Sequence, residues 1–152
     1  MGNLVVQLLG GADIRALATR LDVTPTKKLG QNFVTDPNTI RRIVAAAKLT
    51  GKETVVEIGP GLGSLTLGLI EVAEKVIYLD FEDSGKGILM RLRALGLEDH
   101  HFANFTYANP DQNLTLDERI DLVDALLEIQ PDLIIVDGVN AAMTLLNLRS
   151  EE

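Results

Sequence analysis

The stretch VVEIGPGLGSLTLGLIEVAEKVIYLDFED, Val55 to Asp83, decides the fold. ETVVEIG is a short apolar run ending in glycine, the form of a buried strand, and GSLTLGLIEVA after it has helical spacing. KVIYLD, Lys75 to Asp80, is a second buried strand. Strand, glycine turn, helix and strand in that order make a βαβ unit, which implies a mostly parallel sheet covered on both faces.

The same stretch holds the candidate site. Gly59, Gly61 and Gly63 leave a strand and open a helix, and Asp80 ends the next strand 21 residues after Gly59. Glycines allow a tight turn and close approach to a ligand. The helix N-terminus offers unpaired N–H groups, and an acid at the second strand end can accept both hydroxyls of a ribose. An adenosine-type ligand is expected; the alternative is a glycine turn that serves only close helix-to-sheet packing.

Working outward, ADIRALATRL places Ile14, Leu17, Ala18 and Leu21 on one helical face. DPNTIRRIVAAAKL reads as a helix with Asp36 as N-cap and Pro37 at its first position. Downstream, SGKGILMRLRALG is a helix closed by Gly96, HFANFTYA a strand, TLDERIDLVDALLEIQ a long helix, PDLIIVD a fourth strand and AAMTLLNL a last helix. His100 and His101, adjacent on that expected strand, would point to opposite sides and cannot share a metal.

Composition bounds what such a site can be. At 152 residues, 46% apolar and 24% charged, residues 1–152 form a single globular α/β domain. The absence of cysteine excludes disulfides, thiolate metal sites and a Cys nucleophile. MGNLVVQLLG lacks the basic region of a secretion signal, and no apolar run is long enough for a membrane span, so a cytoplasmic protein without membrane partners is expected. Charge divides the chain: residues 1–80 carry nine basic against eight acidic side chains, residues 81–152 five against fourteen.

EIGPGLGSLT resembles motif I of S-adenosylmethionine-dependent methyltransferases, and the upstream PTKKLGQNFVTDPNTIRRIV resembles the start of the ribosomal RNA adenine dimethyltransferases. The resemblance covers roughly residues 8–80. It implies that Asn32 and Val34 contact the methionine end of the cofactor, that Gly59 sits beneath it with Gly61 and Gly63 completing the turn, and that Asp80 takes the ribose, where the family usually has Glu. Past Asp80 the family's Asn-Leu-Pro-Tyr-like motif is missing; NPDQ (109–112) and DGVN (137–140) read as turns and caps. No catalytic residue is assigned.

VIYLDFEDSGKGILMRLRALG, FTYANP and LLEIQPDLIIVDGVNAAMTL are similar to the latter part of RecA-like P-loop ATPases, over about residues 76–147. That likeness makes Glu82 an activator of the attacking water and Asp137 a magnesium-associated acid, the only metal candidates. The phosphate-binding G-x-x-x-x-G-K-[ST] is absent, so ATP hydrolysis is not expected.

Together the resemblances suggest an engineered or recombined chimera, methyltransferase-like over 1–80 and P-loop-ATPase-like over 81–152, crossing over at KVIYLD. The expected fold is a three-layer α/β sandwich with a mostly parallel sheet of four or five strands, a Rossmann-like and P-loop-like hybrid. Rossmann-like pairing of the first two strands is favoured by the short EVAEK connection. The expected function is a chimera without an intact catalytic site, at most a module with weak or lost S-adenosylmethionine binding. The alternatives are a ribosomal RNA adenine dimethyltransferase-like enzyme and a P-loop-like nucleotide-binding domain. An open sheet edge suggests a homodimer. Nucleic acid is not an expected partner: the acidic half repels phosphates, and Arg15, Arg20, Lys27, Lys28, Arg41 and Arg42 read as a solvated face.

Overall fold

A computed structural model describes residues 8, 10–20, 36–81, 85–110 and 114–137 of the chain. Two helices, α1 (Gly11–Arg20) and α2 (Pro37–Ala47), precede a regular alternation. It runs β1 (Thr54–Ile58), α3 (Ser64–Val72), β2 (Lys75–Leu79), α4 (Gly85–Ala94), β3 (Phe105–Ala108), α5 (Leu116–Glu128) and β4 (Leu133–Val136). The boundaries follow local chemistry. Asp36 caps α2 by accepting from the amides of Asn38 and Thr39 with Pro37 in the first turn, and Thr115 and Glu118 form a reciprocal capping box at α5. Gly96, at φ 98°, ends the α4 segment as the sequence suggests.

The sheet is parallel throughout, in the order β3-β2-β1-β4. β1 therefore lies directly against β2, with Val56 opposite Ile77 and Ile58 opposite Leu79. This is the Rossmann-like pairing. It corrects the hybrid expectation, because a P-loop arrangement would insert another strand between them. The physical reason is the short return from α3: Ala73 and Glu74 alone separate it from β2, and the Glu74 and Lys75 amides both bond the carbonyl of Glu53 at the foot of β1.

Two helical layers enclose the sheet, making three layers in all. On one face Val55, Val76 and Tyr78 pack beneath Ile40 of α2, Leu65, Leu67 and Leu69 of α3, and Ile88 and Leu92 of α4. On the other, Val56, Ile58, Ile77, Leu79 and Phe81 meet Leu122 and Leu126 of α5. β1 and β2 are buried on both faces, which is why they read as largely apolar runs.

Two expectations change. The expected strand HFANFTYA is divided: Asp99–Phe102 forms a 3-10 turn and only Phe105–Ala108 is strand. His100 and His101 consequently lie side by side, ring centroids 3.8 Å apart, rather than on opposite sides of a strand. The turn forms because Glu98 and His101 cap each other, the Glu98 amide donating to His101 Nδ1 at 3.0 Å. AAMTLLNL, Leu21 and the side chains of Ile14, Leu17 and Ala18 lie outside what is described.

Candidate functional site

In a parallel α/β sheet the C-terminal strand ends lie together, and the loops leaving them form a crevice. Here that edge gathers Gly59 after β1, Asp80 after β2, Asn109 after β3 and Asp137 after β4. The Gly59 amide donates to the Leu79 carbonyl at 2.9 Å, the Asp80 amide to Ala108 at 3.0 Å and the Asp137 amide to Ile58 at 2.8 Å, so the ladder continues into the loops and fixes their starting points.

The turn from β1 into α3 depends on positive φ. Gly59, Gly61 and Gly63 sit at 69°, 58° and 83°, a region costly for any side chain. Gly63 is the N-cap of α3 and supplies no capping side chain. A Cβ there would stand 3.0 Å from Leu92 Cδ2, so the glycine serves helix packing as well as the turn. The packing alternative raised by the sequence thus describes part of what Gly63 does.

Asp80 is 6% exposed, and its carbonyl accepts from Asn109 Nδ2 at 2.8 Å. It stands one strand over from the glycine turn, where its sequence spacing placed it. Asn32, Val34 and Glu82 lie outside the described residues. Asp137 does reach the same edge, and burial raises its pKa. Among the described residues no group of three acidic or histidine side chains gathers as a metal set.

The sequence reading missed Glu57. Because strand side chains alternate, Glu57 shares a face with Val55 and points at α3. There Thr66 Oγ1 donates to its Oε2 at 2.6 Å, while Oε1 is buried with no partner among the described residues. The carboxyl is 0% exposed; burial, opposed by the Thr66 bond and reinforced by Asp137, pushes its pKa up to about 8. Ser64 Oγ, in the first turn of α3, is also buried with no partner among the described residues. Two unsatisfied polar atoms flank the same turn, and buried polar groups in native proteins usually have a partner. The available signal was an acid inside the apolar run VVEI.

Arg91 was missed too. It is 7% exposed and donates from Nη1 to the Gly61 carbonyl at 2.8 Å; Tyr78 Oη donates to the same carbonyl at 3.4 Å. Burial and the neighbouring Glu57 and Asp80 carboxylates push the Tyr78 phenol up.

A family model described as ribosomal RNA adenine dimethylase matches residues 24–84. Ribosomal RNA small subunit methyltransferase A of Corynebacterium glutamicum is 68% identical over 76 residues, covering 50% of this chain and 26% of the relative. The protein of that name from Paenarthrobacter aurescens is 59% identical over 78 residues, covering 51% and 27%. The chain therefore spans about a quarter of the length of the curated relatives it matches. Among solved structures, precorrin 8W decarboxylase of Methanobacterium thermoautotrophicum superposes with a TM-score of 0.54 at 23% identity, over 76% of this chain and 56% of that one, a likeness of fold alone.

These relatives overturn two expectations. The reading as an engineered or recombined chimera without an intact catalytic site gives way to its methyltransferase alternative, since about half of the chain is 56–68% identical to relatives that share one methyltransferase name and the family model covers the glycine turn. No support appears for a P-loop ATPase part: the likeness rested on strand ends such as Asp137, which any buried strand can supply. The exclusion of nucleic acid fails as well, because those relatives are named for ribosomal RNA. Net charge summed over a whole chain says little about one face, and Arg41, Arg42, Lys48 and Lys52 are exposed together on α2 and the loop after it. No helix among the described residues is long and apolar enough to cross a membrane. The fold is a Rossmann-like methyltransferase fold, and part of this chain, residues 24–84, resembles the ribosomal RNA adenine dimethyltransferases.

Proposed function

We propose that this chain binds S-adenosylmethionine at the C-terminal edge of its sheet and serves methylation of adenine in ribosomal RNA. One observation carries the reading. The ribosomal RNA adenine dimethylase model matches residues 24–84, the segment that contains the glycine turn, and Asp80 follows the strand that pairs with β1. Gly59, Gly61 and Gly63 would let the backbone approach the methionine end, with Asn32 and Val34 contributing from the preceding segment, and Asp80 would accept the ribose hydroxyls. When bound, the sulfonium supplies an electrophilic methyl group to the adenine amine. The residues fit such a ligand. Ser64 Oγ is a buried polar atom at the turn with no partner among the described residues, and the first turn of α3 presents amides to a carboxylate.

Affinity is weak in this reading. The adenine end is the least furnished, since β3 ends in Asn109, whose amide is engaged with the Asp80 carbonyl, where the family places an acid. Loss of one or two such contacts is worth about 1–3 kcal/mol each and moves a micromolar site toward the millimolar range. Calorimetric titration with S-adenosylmethionine, followed by transfer of labelled methyl to small-subunit ribosomal RNA, tests the proposal. Binding that disappears in Asp80→Ala, with the melting temperature little changed, is expected. Equal binding by Asp80→Ala, or none by the wild type, would sink it.

A further inference from the structure

The methyl-donor reading makes no use of Arg91. This side chain belongs to α4, 30 residues from the glycine turn in sequence, yet its Nη1 lies 2.8 Å from the Gly61 carbonyl. Tyr78, fully buried on β2, donates to that same carbonyl at 3.4 Å, and it also shares a hydrogen bond with Arg91. Two elements, β2 and α4, therefore converge on one carbonyl oxygen of the turn. Arg91 is itself nearly buried at 7% exposure. A guanidinium in that position carries a desolvation cost that methionine or leucine would avoid.

The held atom matters because of where it sits. Gly61 is the exposed middle residue of a turn whose flanking glycines all have positive φ. Pro60 fixes its own φ, but Gly61 and Gly63 have little steric preference of their own, since glycine populates both signs of φ about equally. A planar trans peptide couples each carbonyl to the N–H that follows it, so holding the Gly61 oxygen also fixes the direction of the Leu62 amide. The planar fork of an arginine can serve the carbonyl and the phenol together, whereas a lysine has one point of charge.

We propose that Arg91 is a positioning residue of the donor site: with Tyr78 it clamps the Gly61 carbonyl and thereby holds the glycine turn in the shape that accepts the ligand. The clamp's effect on affinity rests on the S-adenosylmethionine reading above; its effect on the turn does not. The test uses the full chain as wild type, Arg91→Met, Arg91→Lys and Tyr78→Phe. Two readouts are taken: calorimetry with S-adenosylmethionine, and amide hydrogen exchange resolved by residue. In Arg91→Met, exchange at Leu62 and Gly63 should rise at least ten-fold while Val56 and Ile77 keep wild-type protection, and cofactor affinity should fall at least ten-fold. Arg91→Lys should recover part of that affinity. A merely structural role would raise exchange throughout the sheet, and that result overturns the proposal. So does a folded Arg91→Met with unchanged turn exchange and affinity. If Arg91→Met does not fold, Tyr78→Phe decides, and wild-type exchange at the turn in that variant counts against the clamp. If the wild type does not bind S-adenosylmethionine, the donor-site reading has failed, and faster turn exchange in Arg91→Met still establishes the clamp.

Discussion

The carboxyl of Glu57 lies 2.6 Å from the hydroxyl of Thr66, sealed between β1 and α3 with its other oxygen unpartnered among the described residues. Burial raises its pKa from 4.5 to about 8, so it carries a proton at neutral pH. The unfolded chain ionises this group at the lower value. Its contribution to stability is thus fully present below pH 4.5, declines as pH rises, and is lost above about pH 8. Glu57→Gln, neutral at every pH, should flatten that decline, which amounts to several kcal/mol across the window. Urea unfolding at a series of pH values from 4 to ~9 checks it. A wild-type slope retained in the variant would show that another group is responsible.

Thr66→Val is the complementary change. It removes the one donor to Glu57 among the described residues and keeps the shape of the side chain. Stability should drop by about 1–3 kcal/mol at neutral pH. Denaturant midpoints measure it, and a neutral effect would mean that Glu57 finds a replacement donor.

Gly63→Ala should be costly for two separate reasons. The position holds φ 83°, and the new Cβ would stand 3.0 Å from Leu92 Cδ2. Backbone strain alone is worth about 1–3 kcal/mol. The melting temperature should fall, and the amide protection at the start of α3 should fall with it. Alanine tolerated at wild-type stability would show that the turn can relax.

Gly68, inside α3, tests how closely α2 and α3 approach. A Cβ there would meet Ile40 Cγ2 at 2.9 Å and Val44 Cγ2 at 3.1 Å. Alanine gains about 1 kcal/mol of helix propensity over glycine, which offsets part of the crowding. Valine has no such offset and should destabilise by about 1–3 kcal/mol, since Ile40 is itself fully packed. Thermal melts of the two variants should separate in that order.

Glu53 gives the opposite pH signature from Glu57. Its carboxylate accepts from the Thr50 hydroxyl at 2.6 Å and from the amides of Thr50, Gly51 and Lys52 at 2.8–3.1 Å. Those bonds, the Thr50 hydroxyl first, bring its pKa down to about 2. Its contribution is therefore present above pH 4.5 and lost as pH falls through about 2. Carboxyl-resolved NMR titration should find the low value, and Thr50→Ala should return it toward the ordinary range. A wild-type value near 4.5 would refute the loop geometry.

Local pattern carried much of this protein. The run from Val55 to Asp80 determined two buried strands, the helix between them and the glycine turn, because hydrophobic period and glycine placement act over a few residues. Asp36 and Pro37 determined the start of α2 for the same reason. The short step from α3 to β2 carried the pairing of β2 on β1. Tertiary structure decided what those local signals could not. The strand HFANFTYA was expected to form gave way to a 3-10 turn once His101 and Glu98 capped each other, a competition between neighbours that periodicity does not register. Glu57 read as an ordinary residue of a strand, and only α3 folding over the sheet set Thr66 against it and removed the water that would have kept it ionised. Arg91 was not singled out in the helix read from SGKGILMRLRALG; its meeting with Gly61 and Tyr78 depends on how α4 packs against the sheet. A side chain's pKa and partners are set by atoms brought near in space, so the contacts at this site, unlike its glycine spacing, belong to the fold.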